Sequence, residues 1–169
     1  MTIRARVAVY PGTFDPITHG HLDIATRAAR VFEQVTVAIY DGGDDAPKKP
    51  LFSGKERLEF ARRSLCHLDN VSVDTFNNLL VDYCRAVGAG TIVRGLRAVS
   101  DFEYEFQLAH MYQHLDPGIE IVCLMTRSEH SFISSSIIRE VASLGGTITN
   151  LVPPTVEAAL HDRFERGGG

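Results

Sequence analysis

Short runs of β-branched and aliphatic residues alternate along this chain with longer stretches of helical period, and that alternation restricts the fold more than any other pattern in it. Val7-Ala8-Val9-Tyr10, Val35-Thr36-Val37-Ala38-Ile39-Tyr40, Val71-Ser72-Val73, Thr91-Ile92-Val93 and the stretch 119–125 read as strands. Strands this continuously apolar belong to a parallel sheet with helices on both faces, where no solvent side imposes alternation. Between them, Leu22, Ala25, Ala28, Ala29 and Phe32 recur at helical spacing while Asp23, Arg27 and Arg30 occupy the rest of the wheel. Ser53 stands three residues before Glu56, a capping-box signature, and Leu58, Ala61 and Leu65 then mark a buried face. Further helices are predicted over 78–87, 101–115, 134–144 and 154–165, the last opened by Pro153-Pro154. The expected architecture is α/β, a doubly wound sheet.

The stretch 101–115 is unusual because Phe102, Phe106, Leu108, Ala109, Met111, Tyr112 and Leu115 cover more than one narrow stripe. Two arrangements account for it: burial on two sides within one chain, or sharing of the helix with a neighbouring subunit.

At 169 residues the expectation is a single domain over 1–166 with a disordered tail at 167–169, and no internal repeat or linker divides it. A net charge of −4 argues against a broad nucleic-acid or membrane-binding surface, while leaving room for a small basic pocket. Cys66, Cys84 and Cys123 stand far apart with no C-x-x-C pair, which reads as reduced thiols. The N-terminal residues lead into a short apolar run without a signal-peptide core, and no apolar stretch reaches bilayer-spanning length. The expected location is the cytoplasm.

Open parallel sheets bind ligands beyond the carboxyl ends of their strands. After the first strand comes Tyr10-Pro11-Gly12-Thr13-Phe14-Asp15-Pro16-Ile17-Thr18-His19-Gly20-His21, in which Pro11-Gly12 is expected to turn the chain sharply. The helix predicted to begin near Gly20-His21 offers unpaired N–H groups and a positive dipole end to a phosphate, and His21 can donate to a phosphoryl oxygen. After the fifth strand, Ser131-Phe132-Ile133-Ser134-Ser135-Ser136-Ile137-Ile138-Arg139 can cap a helix while presenting hydroxyls and N–H groups to the same anion. After the fourth, Arg94-Gly95-Leu96-Arg97 carries two guanidinium forks suited to phosphate. After the second stands Lys48-Lys49-Pro50.

Thr18-His19-Gly20-His21 resembles the H/T-x-G-H motif of the nucleotidyltransferase superfamily. The serine run is similar to that superfamily's I-S-S-[ST]-x-x-[RK] segment. The block from Arg94 to Glu105, with Gln107-Leu108-Ala109-His110-Met111 after it, resembles phosphopantetheine adenylyltransferases in particular. The resemblance runs in order from position 10 to about 140. It implies a Rossmann-like fold with a five-stranded parallel sheet and C-terminal helices, and a homohexamer. The implied reaction moves AMP from ATP to 4′-phosphopantetheine with Mg²⁺. By that resemblance Thr13 and His21 hold the reacting phosphates, and Lys48, Leu80 and Arg94 the phosphopantetheine. The ATP side comprises Thr13, Phe14, His21, Gly95, Leu96, Arg97, Glu105, His130, Ser131, Phe132, Ile133, Ser134, Ser135 and Ser136. The implied catalytic set is His21, Thr13, Lys48 and Arg94, with no protein-bound metal, nucleic acid or membrane partner. Two departures stand out: His130 replaces an indole common among relatives, and the loop 41–47 is longer than usual. Other small-metabolite nucleotidyltransferases, acting on nicotinamide mononucleotide or a polyol phosphate, and a non-catalytic nucleotide sensor remain the alternatives.

Competing signatures are weaker. His110 and His114 have zinc-ligand spacing, but Met111 stands where a metalloprotease needs Glu. The acidic loop 41–45 lacks the alternating ligands of a calcium site. Ser53-Gly54-Lys55-Glu56 is no P-loop, and Gly88-Ala89-Gly90 precedes a strand instead of following one.

Overall fold

The computed structural model describes residues 7–42 and 49–165. Strands β1 (Val7–Gly12), β2 (Gln34–Tyr40), β3 (Val71–Phe76), β4 (Thr91–Leu96) and β5 (Glu120–Met125) form one sheet in the order β3-β2-β1-β4-β5, with every neighbouring pair parallel. Helices α1 (His19–Val31), α2 (Gly54–Leu65), α3 (Leu80–Ala86), α4 (Val99–Leu115), α5 (Ser135–Ser143) and α6 (Pro154–Glu165) connect and flank them. The expected doubly wound sheet with C-terminal helices is therefore present.

Pleating divides each strand between two cores. Ala8, Tyr10, Val35, Val37, Ile39 and Val93 pack with α1, α2, α5 and α6, through Ile24, Ala28, Ala61, Leu65, Ile138, Val156 and Leu160. Val9, Ala38 and Ile92 point the other way, against Leu80, Val81 and Cys84 of α3. Both sets are apolar, so the strands read as continuous runs although their side chains still alternate. Local signals place the helix starts: Thr18, Ser53 and Ser134 each cap through their side-chain oxygen.

α4 answers the two-way question about 101–115. Glu105 is its one buried residue, while Val99, Phe102, Tyr104, Phe106 and Met111 are exposed in the single chain. Burial on two sides within the chain is therefore incorrect: α4 packs mainly on β4 and β5, Arg85 of α3 reaches its last turn, and the apolar side chains just named stay exposed.

The chain does not turn at Pro11-Gly12 as expected. β1 runs on through Gly12, paired with Ile39 of β2. The ladder between β1 and β4 stops at Val9 and Ile92, so a proline two residues later interrupts no pairing on that side. The reversal comes at Phe14, whose φ is 48°, followed by a cis Asp15–Pro16 peptide. Strand order also changes direction at β1, and where β1 and β4 part a crevice opens.

Candidate active site

A cleft of about 670 Å³ occupies that crevice, a volume typical of small-molecule sites. Its walls are the loop after β1, the ends of β2 and β4, and the N-terminal turns of α1 and α5. Two helix starts thus meet in one concavity, where their unpaired N–H groups and positive dipole ends favour an anion.

His21 sits in the first turn of α1 and closes an unusual capping box. Its N–H donates to Thr18 Oγ1 at 3.4 Å, and the Thr18 N–H donates back to His21 Nδ1 at 3.1 Å. Because a backbone N–H can only donate, Nδ1 must be the accepting nitrogen, and Nε2 carries the proton of the neutral ring. Burial, reinforced by the charges of Arg97 and Arg94, pushes the His21 pKa down to about 4. The ring is therefore a neutral donor at physiological pH. Phe14 presses edge-on against it, with centroids 5.0 Å apart, and Tyr10 presses edge-on against Phe14 at 5.3 Å. Gly12 makes room for this stack, since a Cβ there would lie 3.0 Å from the Phe14 ring.

Arg94 leaves β4 into the cleft and binds Glu105 of α4 through two hydrogen bonds of 2.7 Å. A third bond, 3.3 Å, reaches Pro11 O across the gap between β4 and β1. Burial works against the Arg94 cation, yet the paired Glu105 carboxylate holds its pKa above the usual value. Arg97 binds Asp101 at 3.1 Å and reaches Ile133 O at 3.4 Å, tying the loop after β4 to the entry of α5. Ser134 caps α5 by accepting from the Ile137 N–H, and Ser135 Oγ donates to Pro16 O at 2.8 Å, joining the start of α5 to the loop after β1. Arg139, one turn into α5, is held by the backbone oxygen of Asp15 and lies 3.4 Å from its carboxylate.

Among the sequence candidates, Thr13, Phe14, His21, Arg94, Gly95, Arg97, His130, Ile133, Ser134, Ser135 and Ser136 line this cleft. Glu105 stands behind it, holding Arg94. Leu96 is part-buried at the end of β4, and Leu80 is buried in the α3 core; neither lines the cleft. Phe132 points outward and is 62% exposed, and Ser131 Oγ donates to Ser128 O. Lys48 lies outside the described residues, and Lys49 lines the cleft. Sequence reasoning passed over Tyr10, Tyr40, Asp41 and Thr126, which also line it. Tyr40, Asp41 and Thr126 sit at or just past strand ends, a signal that was available from strand boundaries alone.

The comparisons with known proteins agree with this geometry. The cytidylyltransferase-like family profile matches residues 9–141. A phosphopantetheine adenylyltransferase from Thermomicrobium roseum is 62% identical over 157 residues, covering 93% of this chain and 94% of its own. The chain belongs to the phosphopantetheine adenylyltransferase family. Proteins of the same name from Roseiflexus sp. and Xylella fastidiosa strain M23 are 55% and 51% identical, covering 95% and 96% of this chain and 98% of each relative. A solved structure assigned as a nicotinate-nucleotide adenylyltransferase from Vibrio parahaemolyticus superposes with a TM-score of 0.64 at 17% identity, over 92% of this chain and 98% of its own. At that identity the likeness speaks for the Rossmann-like fold and not for the acceptor.

Proposed function

We propose that this enzyme transfers the adenylyl group of ATP to the phosphate of 4′-phosphopantetheine, forming dephospho-coenzyme A and pyrophosphate. The acceptor comes from family membership at 51–62% identity along nearly the whole chain. The observation that carries the reaction type is the neutral His21, its Nε2–H available where two helix N-termini meet.

In this reading a phosphate oxygen of the acceptor attacks the α-phosphorus of ATP in line, forming the new P–O bond as the bond to the β-phosphate bridging oxygen breaks. The nucleophile is already anionic, so no general base is required, and positioning with charge stabilisation supplies the rate. His21 Nε2–H donates to an α-phosphoryl oxygen as negative charge grows there, and Thr13 holds the same group. Arg94 restrains the attacking phosphate. Glu105 and Pro11 occupy three of its five N–H groups, which leaves two for the ligand. Lys48 joins it by resemblance. Arg97, Arg139 and the N-terminal turn of α5 bind the leaving pyrophosphate. Mg²⁺ would arrive bound to ATP and would neutralise part of the phosphate charge beside Arg97 and Arg139.

The exposed apolar side of α4 supports self-association, for which the family resemblance implies a homohexamer, and a stable monomer in sedimentation would overturn that. No described helix is long and apolar enough to cross a membrane. A reaction between two soluble phosphorylated metabolites belongs in the cytoplasm.

The test is direct. Protein, ATP, Mg²⁺ and 4′-phosphopantetheine should give pyrophosphate and dephospho-coenzyme A, and His21→Ala should lose on the order of 10²–10³ in kcat. An ATP-binding protein that forms no product would reject this acceptor in favour of nicotinamide mononucleotide or a polyol phosphate. Near-wild-type turnover in His21→Ala would remove His21 from the mechanism.

A further inference from the structure

Arg57, in the first turns of α2, is the largest fully enclosed side chain among the described residues, with 1% of its surface exposed. A buried guanidinium is costly unless its donors are satisfied, and where filling space is enough an apolar residue does as well. Four donor contacts satisfy this one. Nε donates to Phe52 O at 3.0 Å, Nη1 to both Thr13 O and Tyr40 O at 2.8 Å, and Nη2 to Asp41 Oδ1 at 3.1 Å. Three of its four partners, Thr13, Tyr40 and Asp41, line the cleft, although Arg57 itself does not.

These contacts join separate pieces of chain. Thr13 belongs to the loop after β1, Tyr40 and Asp41 to the end of β2, and Phe52 to the segment that returns to α2. A second device runs in parallel: the Asp15 carboxylate accepts from the Leu51 and Phe52 N–H groups at 2.8 and 3.0 Å. Packing at Gly54 is matched to the same lattice, since a Cβ there would fall 1.9 Å from Asp41 Oδ2. α2 provides a firm base, with the Ser53–Glu56 capping box closed and Glu56 held by Arg163 at 2.6 Å.

We propose that Arg57 is a positioning residue for adenylyl transfer: its planar fork sets the Thr13 loop against the end of β2, fixing the acceptor-side wall relative to the reacting phosphates. The proposal rests on the reaction assigned above. None of the four hydrogen bonds of Arg57 reaches the opposite wall, where Arg97, His130 and the α5 turn lie. ATP affinity and catalytic rate should therefore separate when it is altered. A residue that served stability alone would lower the melting temperature and leave the kinetic constants of the folded enzyme unchanged.

The experiment compares wild type with Arg57→Lys, which keeps the positive charge but cannot span several carbonyls from a planar fork. Both are assayed at a temperature where circular dichroism shows each fully folded. The expected result is a fall in kcat of about 10- to 10²-fold, the scale of a misplacement of about 1 Å in the site. KM for 4′-phosphopantetheine should rise, while the ATP Kd from calorimetry changes less than about threefold. Wild-type kcat and KM in the folded variant would overturn the proposal, and so would an ATP Kd weakened as much as kcat. Should Arg57→Lys fail to fold, Gly54→Ala displaces the Asp41 carboxylate and so breaks one of the four contacts of Arg57 while keeping the guanidinium itself. The same loss of kcat supports the proposal, and unchanged constants overturn it. Wild type serves as the separate control on the reaction. If it makes no dephospho-coenzyme A, the assigned reaction fails and Arg57 falls with it, whereas an active wild type with an equally active variant defeats the Arg57 proposal alone.

Discussion

Acidification should weaken this fold in part through the His21 ring. His21 has an ordinary unfolded pKa of 6.5, and burial beside Arg97 and Arg94 lowers it to about 4 in the folded protein. Above 6.5 neither state is protonated there, and the ring has no effect on the balance. Between 6.5 and 4 the unfolded chain takes up a proton that the native ring refuses, so stability falls as pH falls and the loss levels off below about 4. At pH 5 the difference of about 1.5 units amounts to about 2 kcal/mol at 1.36 kcal/mol per unit. One edge of the ring faces the open cleft and is partly solvated, which reduces the expected effect to about 1–2 kcal/mol. Other groups titrate over the same range, so the measurement is a difference against His21→Gln. Glutamine suits the N3 position of a capping box and can still accept from the Thr18 N–H, but it takes up no proton. Urea unfolding at pH 7.5 and pH 5 should show wild type losing about 1–2 kcal/mol more than the variant. Equal losses would mean that the ring is not held neutral, and the assignment of Nε2–H as the donor would fall with it. A corollary concerns activity: a limb of the kcat profile near pH 6.5 that disappears in His21→Gln would refute the same reasoning.

Thr18→Val removes the side-chain cap but keeps the backbone N–H bonded to His21 Nδ1. Stability should drop by about 1 kcal/mol, and kcat by less than about tenfold, against the far larger loss expected for His21→Ala in the same assay. Gly12→Ala forces the Phe14 ring away from His21 and should cost about 1–3 kcal/mol of stability, read from denaturant midpoints; a neutral effect would show that the aromatic stack has slack. Glu105→Gln leaves the part-buried Arg94 without a countercharge, and a loss of about 1–3 kcal/mol in urea unfolding is expected. Leu160→Ala, deep in the core and outside the cleft, should cost about 2–5 kcal/mol while kcat in the cold stays at the wild-type value.

Much of this was legible before any coordinates. Uniformly apolar strands announced a sheet covered on both faces, because a half-solvated sheet would have shown alternation. Ser53 and the serine run at 134–136 announced their helices, because a cap is a contact over three residues and is written wholly in local sequence. The motifs after β1, β4 and β5 pointed to phosphate chemistry for the same reason: each consists of adjacent donors at a strand or helix end. The continuation of β1 through Pro11 was not legible. It depends on where the ladder to β4 stops, which is a property of two strands more than eighty residues apart. Nor was the exposure of α4, since an apolar helix reads alike whether the sheet or another surface covers it.

The sequence by itself determined the elements, their order and the residue types offered to a phosphate, since each is set by period, caps and neighbours along the chain. Only the tertiary structure decided what those residues could do. The protonated nitrogen of His21 follows from which ring nitrogen meets Thr18 N–H, and its neutrality from burial beside two arginines that β4, the strand next to β1, brings from far along the chain. In the same way, Arg57 reads in the sequence as an ordinary helix cation flanked by Glu56 and Leu58. Its significance comes from carbonyls of residues 13, 40 and 52, which only the folded chain brings within reach of one guanidinium.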